Sequence, residues 1–275
     1  MSNLNTTDTA FTRSQIIQDL TNLGIAPGDI VYVHSSLRSV GPIDGGAEAL
    51  LDCFLTVLGE DGTLAVPTHT LNYVNFRHEA FDAANTPTYL GILTEIVRKH
   101  PKAFRSANPT HSSAAIGKKA EWLTANHDMS NPLGYESPLH RVYRENGKIL
   151  LLGVDQKTNT SLHLVESIAG LAYTDMHYEA SWGSACEYID ADGSIQTVDA
   201  TTFPGCSSGF NAMGERLMDK NLVRCGNIGN APCQLMQAKD MVNEALNAVR
   251  ETPDFLLCKN EKCPRCTARR KRIGL

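Results

Sequence analysis

The stretch ILLLGVDQKTNTSLHLVE, residues 149–166, sets the fold class. Its apolar run Ile149–Val154 has the length of a buried strand. The polar residues Asp155–Asn159 form a loop, and Thr160 onward has the character of a helix start. The same order recurs upstream. Ile30-Val31-Tyr32-Val33 is a short β-branched strand that runs into a Gly-rich turn. A helix over Ala47–Leu58 follows, with Leu50, Leu51, Phe54, Leu55 and Leu58 as its apolar face. Thr63–Val66 is another strand. Helices are also predicted over Thr12–Leu23, Tyr89–His100, Ser137–Asn146, Phe210–Lys220 and Ala238–Thr252. Ala114–Ala125 reads as a short strand and helix, Leu71–Pro87 as a loop, and Leu222–Ile228 as strand-like. Tyr188–Val198 reads as a hairpin around Asp192-Gly193. Alternating helices and strands predict a layered α/β fold with a central sheet flanked by helices, and the hairpin makes the sheet mixed. The expected organisation is one domain over residues 1–257, with a smaller insertion or subdomain near 72–87 and 175–210, then a tail over 258–275.

Composition narrows the class. A chain of 275 residues that is 42% hydrophobic can bury a large core. It contains no run of 18 apolar residues, so no membrane span is expected. The polar segment Met1–Thr12 lacks the apolar centre of a secretory signal, which predicts a cytoplasmic protein. The net charge of −5 conceals an asymmetry: Cys258–Leu275 carries seven Lys/Arg and one Glu, leaving −11 on the rest. An acidic body suits a cationic partner and disfavours nucleic acid, although such surfaces also serve solubility alone.

His163 and Glu166 are three apart and share a helix face. A carboxylate beside an imidazole orients the ring and stabilises its protonated form, as a general base requires. The positive end of the helix pulls the other way. The same spacing also describes an ordinary surface His–Glu pair. Two turns have related chemistry. VYVHSSLRSVGPIDGG (31–46) brings His34, Ser35 and Ser36 from a strand to a helix start, where backbone N–H groups can meet phosphate. It matches neither the dinucleotide fingerprint nor the P-loop, so a purely structural turn stays open. RSANPTHS (105–112) sets hydroxyls and His111 at a turn fixed by Asn108-Pro109, and a capped loop is its plainer reading.

VHSSLRSVGPIDGGAEALLDCFLTVLGEDGTLAVPTHT (33–70) resembles the start of the aminoglycoside 3-N-acetyltransferases. TPTYLGILTE, RSANPTHSSAAIGKKA, ESPLHRVYRENGKILLLGV and NTSLHLVE fit in the same order, and the likeness covers roughly residues 10–255. The resemblance implies acetyl-CoA as donor and a cationic small-molecule amine, an aminoglycoside above all, as acceptor. It places His34, Ser35, Ser36, Leu37, Arg38, Ser39, Val40 and Gly41 along CoA. It places Thr110 and Ser112 near the thioester, and makes His163 the base with Glu166 its orienting partner. Direct attack by the amine needs neither a metal nor a cysteine nucleophile. Asn108-Pro109 departs from the His-Pro of many relatives, and the tail Leu257–Cys266 resembles those of more distant members whose substrates need not be aminoglycosides, so the resemblance speaks more for the donor than for the acceptor. Acidic residues that would hold acceptor ammonium groups are suggested by loop position alone: Asp82, Asp175 and Glu179. Another small amine or amino sugar as acceptor is the nearest alternative, and a CoA- or RNA-binding module without catalysis is the alternative outside enzymes.

Cys263-Pro264-Arg265-Cys266 has the spacing of half a zinc knuckle, with Cys258 a third thiolate. Cys225, Cys233 or a histidine would have to complete it. A redox pair or free thiols are the competing readings, and Arg269–Arg272 reads as a solvated, disordered end. The sequence is silent on oligomeric state.

Overall fold

The computed structural model describes residues 9–71, 74, 77, 79–174, 176, 185–199 and 205–275. Helix α1 (Arg13–Leu23) starts at a capping box between Thr12 and Gln15 and stops at Gly24, which adopts φ +105°. Strand β1 (Ile30–Ser35) follows, then the short α2 (Leu37–Val40) and α3 (Gly46–Leu58), then β2 (Thr63–Pro67). Next come α4 (Ile92–Lys99), β3 (Phe104–Arg105), β4 (Ser113–Gly117), α5 (Ala120–Thr124), α6 (Pro138–Arg144) and β5 (Lys148–Leu152). Helix α7 (Ser161–Ile168) carries the His–Glu pair. The hairpin β6 (Ala185–Ile189) and β7 (Ile195–Asp199), α8 (Asn211–Asp219), β8 (Arg224–Ile228), β9 (Ala231–Gln237), α9 (Ala238–Glu251) and α10 (Pro264–Arg272) complete the order.

Seven strands form one mixed sheet in the order β3-β4-β2-β1-β5-β9-β8. Strands β2, β1 and β5 run parallel at its centre. Antiparallel pairs extend both edges. Each central strand is buried on both faces, which is why it reads as a continuous apolar run. Val31, Val33, Leu150 and Leu152 face a core built with α1, α3 and α4. Tyr32, Ile149 and Leu151 face a second core built with α5 to α9. His34 continues the Tyr32 face by the pleat, and the two rings lie 5.3 Å apart.

The hairpin stands apart from this sheet. Phe81 donates to Glu187 O and accepts from Ile189 N, and Val74, Phe81 and Cys186 form a small cluster of their own. Strand β9 is absent from the sequence reading because Pro232 and polar Gln234 and Gln237 obscure its alternation. The expected disordered tail is overturned: α10 is a helix that begins with Pro264 as its first residue, and Cys266 and Arg269 are buried. Among the described residues no helix is long and apolar enough to cross a membrane.

Candidate active site

The carboxyl ends of the three parallel strands converge, the usual place for a ligand in an α/β sheet. A cavity of ≈ 290 Å³ opens there. Strand β1 contributes His34 and Ser35, β2 contributes Pro67 with His69 beyond it, and Val154 follows β5. Lys157, Thr160 and His163 come from the loop and helix after β5, and His111, Gly205, Ser207 and Phe210 close the wall.

His163 is the third residue of α7, so its ring stands over the first helical turn beside Glu166. Nδ1 lies 2.5 Å from Glu166 Oε2, and both side chains are buried. The Phe210 ring meets the imidazole edge-on at 4.6 Å between centroids, which fixes its plane. Glu166 accepts from Nδ1, so the lone pair resides on Nε2. Tyr173 and Arg269 stand behind Glu166. Burial and the adjacent carboxylate push the Tyr173 phenol up, so it stays protonated.

The other cavity histidines differ in character. Burial pulls His34 down to about 3. Burial and neighbouring imidazoles pull His69 to the same value, and hold His111 well below the ordinary range. All three are neutral at pH 7 and add no positive charge against a cationic guest. His69 and His111 pack with centroids 4.5 Å apart. Thr110 Oγ1 donates to Asn108 Oδ1 and lies 2.9 Å from His111 Nδ1, so Nδ1–H donates to Thr110. Asn108 Oδ1 also accepts from the backbone N–H of Thr110 and His111, while its amide nitrogen donates to Asp128 O. Asn108 therefore builds the turn that delivers His111.

The expected donor segment divides. His34 and Ser35 line the cavity. Ser35, Ser36, Leu37 and Arg38 line an adjoining groove of ≈ 410 Å³ together with Leu90 to Leu93. Ser39 bonds Ser36 Oγ and Gly153 O, and Val40 is fully buried in the core. Gly41 adopts φ +86°, and a Cβ there would come within 2.8 Å of Asn230 Nδ2. Ser39, Val40 and Gly41 thus shape the turn and line neither space. Thr110 supports His111 from behind. Ser112 donates to Thr68 O and accepts from Arg105 Nε, away from the cavity.

Asp82 is not among the residues that line the cavity. Its carboxylate is consumed by Asn85 Nδ2 and the N–H groups of Ala84 and Asn85, bonds that also hold it below the usual carboxylate range. Asp175 and Glu179 lie outside the described residues. Among the described residues no Asp or Glu lines the cavity. His69, Lys157 and Phe210 were missed from the sequence. His69 had a usable signal, because Val66-Pro67-Thr68-His69 ends a strand just as Tyr32-Val33-His34 does.

The cysteine reading is corrected. The thiol that joins Cys258, Cys263 and Cys266 is Cys206, with all four Sγ atoms within 4.8 Å of one another. Cys225 and Cys233 belong to β8 and β9 instead.

The chain resembles known proteins along most of its length. The family model described as aminoglycoside 3-N-acetyltransferase matches residues 32–250. Aminoglycoside N(3)-acetyltransferase IV of Salmonella sp is 32% identical, over 89% of this chain and 90% of that protein. The crystal structure of aminoglycoside acetyltransferase AAC(3)-IVa as apoenzyme superposes with TM-score 0.83 at 32% identity, covering 96% of this chain and 98% of the other. The same enzyme with one histidine replaced by alanine, in complex with a gentamicin, superposes with TM-score 0.85 at 31% identity, with the same coverage.

Proposed function

Since this chain belongs to the aminoglycoside 3-N-acetyltransferase family, we propose that it transfers the acetyl group of acetyl-CoA to the 3-amino group of an aminoglycoside, with His163 as general base. The observation that carries the base is the 2.5 Å contact between His163 Nδ1 and Glu166 Oε2 at the cavity wall.

An ammonium group has no lone pair for attack on a thioester. The ammonium first releases one proton to solvent; His163 Nε2 takes a second as the amine nitrogen bonds to the acetyl carbon, and Glu166 offsets the charge that forms on the imidazole. The C–S bond then breaks, and the imidazolium proton is available to the departing thiolate. The developing oxyanion needs donors already in place, and the Ser35 hydroxyl and the neutral N–H groups of His34 or His69 are the side chains at hand. Ser35 belongs to both the cavity and the adjoining groove, which suits a donor whose thioester reaches the base while its phosphates remain near Arg38. The acceptor's ammonium groups call for carboxylates, for which Asp82, Asp175 and Glu179 are the candidates by loop position in the sequence.

The test is CoA thiol release with a panel of aminoglycosides and simple amines. Release confined to aminoglycosides supports the reading. Equal release with unrelated amines retains the chemistry and overturns the acceptor. No release with any amine overturns the function.

A further inference from the structure

We infer that Cys206, Cys258, Cys263 and Cys266 hold a structural zinc ion that locks α10 against the active-site wall. The four sulfur atoms come from three separate stretches of chain, yet all lie within 4.8 Å of one another. Four thiolates about 2.3 Å from one tetrahedral zinc stand about 3.8 Å apart, so a small inward movement completes the shell. A cluster of several metal atoms spreads its thiolates farther. Cys258 and Cys266 are buried. The Cys258 N–H donates to Cys266 Sγ at 3.3 Å, the kind of backbone bond that supports a metal-bound thiolate. Three of the four cysteines lie beyond residue 250, where the family model ends.

The helix itself argues for a clamp. Its sequence, PRCTARRKR, offers only Cys266 and Ala268 to an apolar contact. A nine-residue helix with four consecutive basic residues is not held by an apolar face, nor is it stable alone. Zinc supplies that energy directly. Binding Zn²⁺ to four thiols releases four protons and leaves a centre of charge −2. The basic end of the chain suits that charge: Arg270 donates to Cys258 O at 2.9 Å and pairs with Asp254 at 2.7 Å.

The clamp reaches the site by two short paths. Cys206 lies between Gly205 and Ser207, which both line the cavity. Arg269 projects from α10, with its guanidinium over the Tyr173 ring at 5.3 Å and Nη1 4.0 Å from Glu166 Oε1. It also fills the space at Gly205, where a Cβ would fall 1.3 Å from Nη1. Arg269 is a positioning residue: it sets Glu166, and Glu166 sets His163. This last link rests on the proposed base, whereas the zinc does not.

The experiment is elemental analysis of the full-length protein purified under reducing conditions without chelator. One zinc per chain is expected, retained in Cys225→Ser and lost in Cys206→Ser and Cys263→Ser. If those variants fail to fold, cobalt added to the metal-stripped wild type must give the visible bands of a tetrahedral thiolate site. No zinc and no cobalt uptake, or disulfides among these four residues by mass spectrometry, overturns the site. With zinc content unchanged, Arg269→Gln should lower kcat about tenfold at constant acetyl-CoA KM, and Arg269→Lys should restore most of it. Unchanged kcat in a zinc-loaded Arg269→Gln variant overturns the positioning link and spares the metal.

Discussion

His163 Nδ1 and Glu166 Oε2 lie 2.5 Å apart on one turn of α7, with both side chains less than a tenth exposed. A charged hydrogen bond in so dry a place is stronger than its surface counterpart. It fixes the tautomer and prepares for the charge that proton transfer creates. Glu166→Gln keeps the shape and removes that preparation. Its kcat should fall roughly 10²- to 10⁴-fold, the range for general-base catalysis lost through a wrong tautomer, while its Tm changes little. Turnover within twofold of wild type, in a thiol-release assay with the variant folded, would separate Glu166 from the chemistry.

Buried neutral histidines make the fold sensitive to acid. Burial pulls His34 and His69 down to about 3 and His127 to about 4. The unfolded chain takes up these protons near the ordinary value of 6.5, while the folded chain does not. Their contribution is therefore complete above pH 6.5 and is lost as pH falls toward 3–4. Each histidine adds a slope of about 1.4 kcal/mol per pH unit in that window, or about 4 for the three. Urea unfolding between pH 7 and 4 should show stability falling steeply, and His127→Gln should make the slope shallower. A flat profile from pH 7 to 5 would contradict the assignment.

The groove of Ser35–Arg38 and Leu90–Leu93 contains one cation among its lining residues, the exposed Arg38. If the phosphates of the donor lie there, Arg38→Ala should raise acetyl-CoA KM about fivefold, roughly 1 kcal/mol, with kcat preserved. The difference should shrink at high salt, since the contact is solvent-exposed. Equal KM values at low salt would move the phosphates elsewhere.

The central sheet was legible because β1, β2 and β5 are apolar on both faces and are separated by helices with one apolar stripe. The His163–Glu166 spacing was visible too, but its burial was not, because burial comes from Phe210 and the α9 side of the core. Strand β9 escaped because Pro232, Gln234 and Gln237 interrupt its apolar alternation, although β5 and β8 pair with it on both sides. The tail escaped for a different reason. Its helix has no apolar face, so no periodicity announces it, and the residue that joins its cysteines, Cys206, lies 52 positions upstream of Cys258. Ser39, Val40 and Gly41 continue a motif by adjacency, yet the chain turns at Gly41 and carries them inward.

The most direct test of the account is single-turnover acetyl transfer by His163→Ala at pH 7.5, using an aminoglycoside that the wild type acetylates, with unfolding monitored in parallel. The base assignment predicts a variant that folds with near wild-type stability, binds acetyl-CoA, and transfers acetyl at least about 10²-fold more slowly. Partial recovery as pH rises, when the free amine forms without a base, would accompany that loss. Near-full transfer at pH 7.5 by the folded variant would contradict the account.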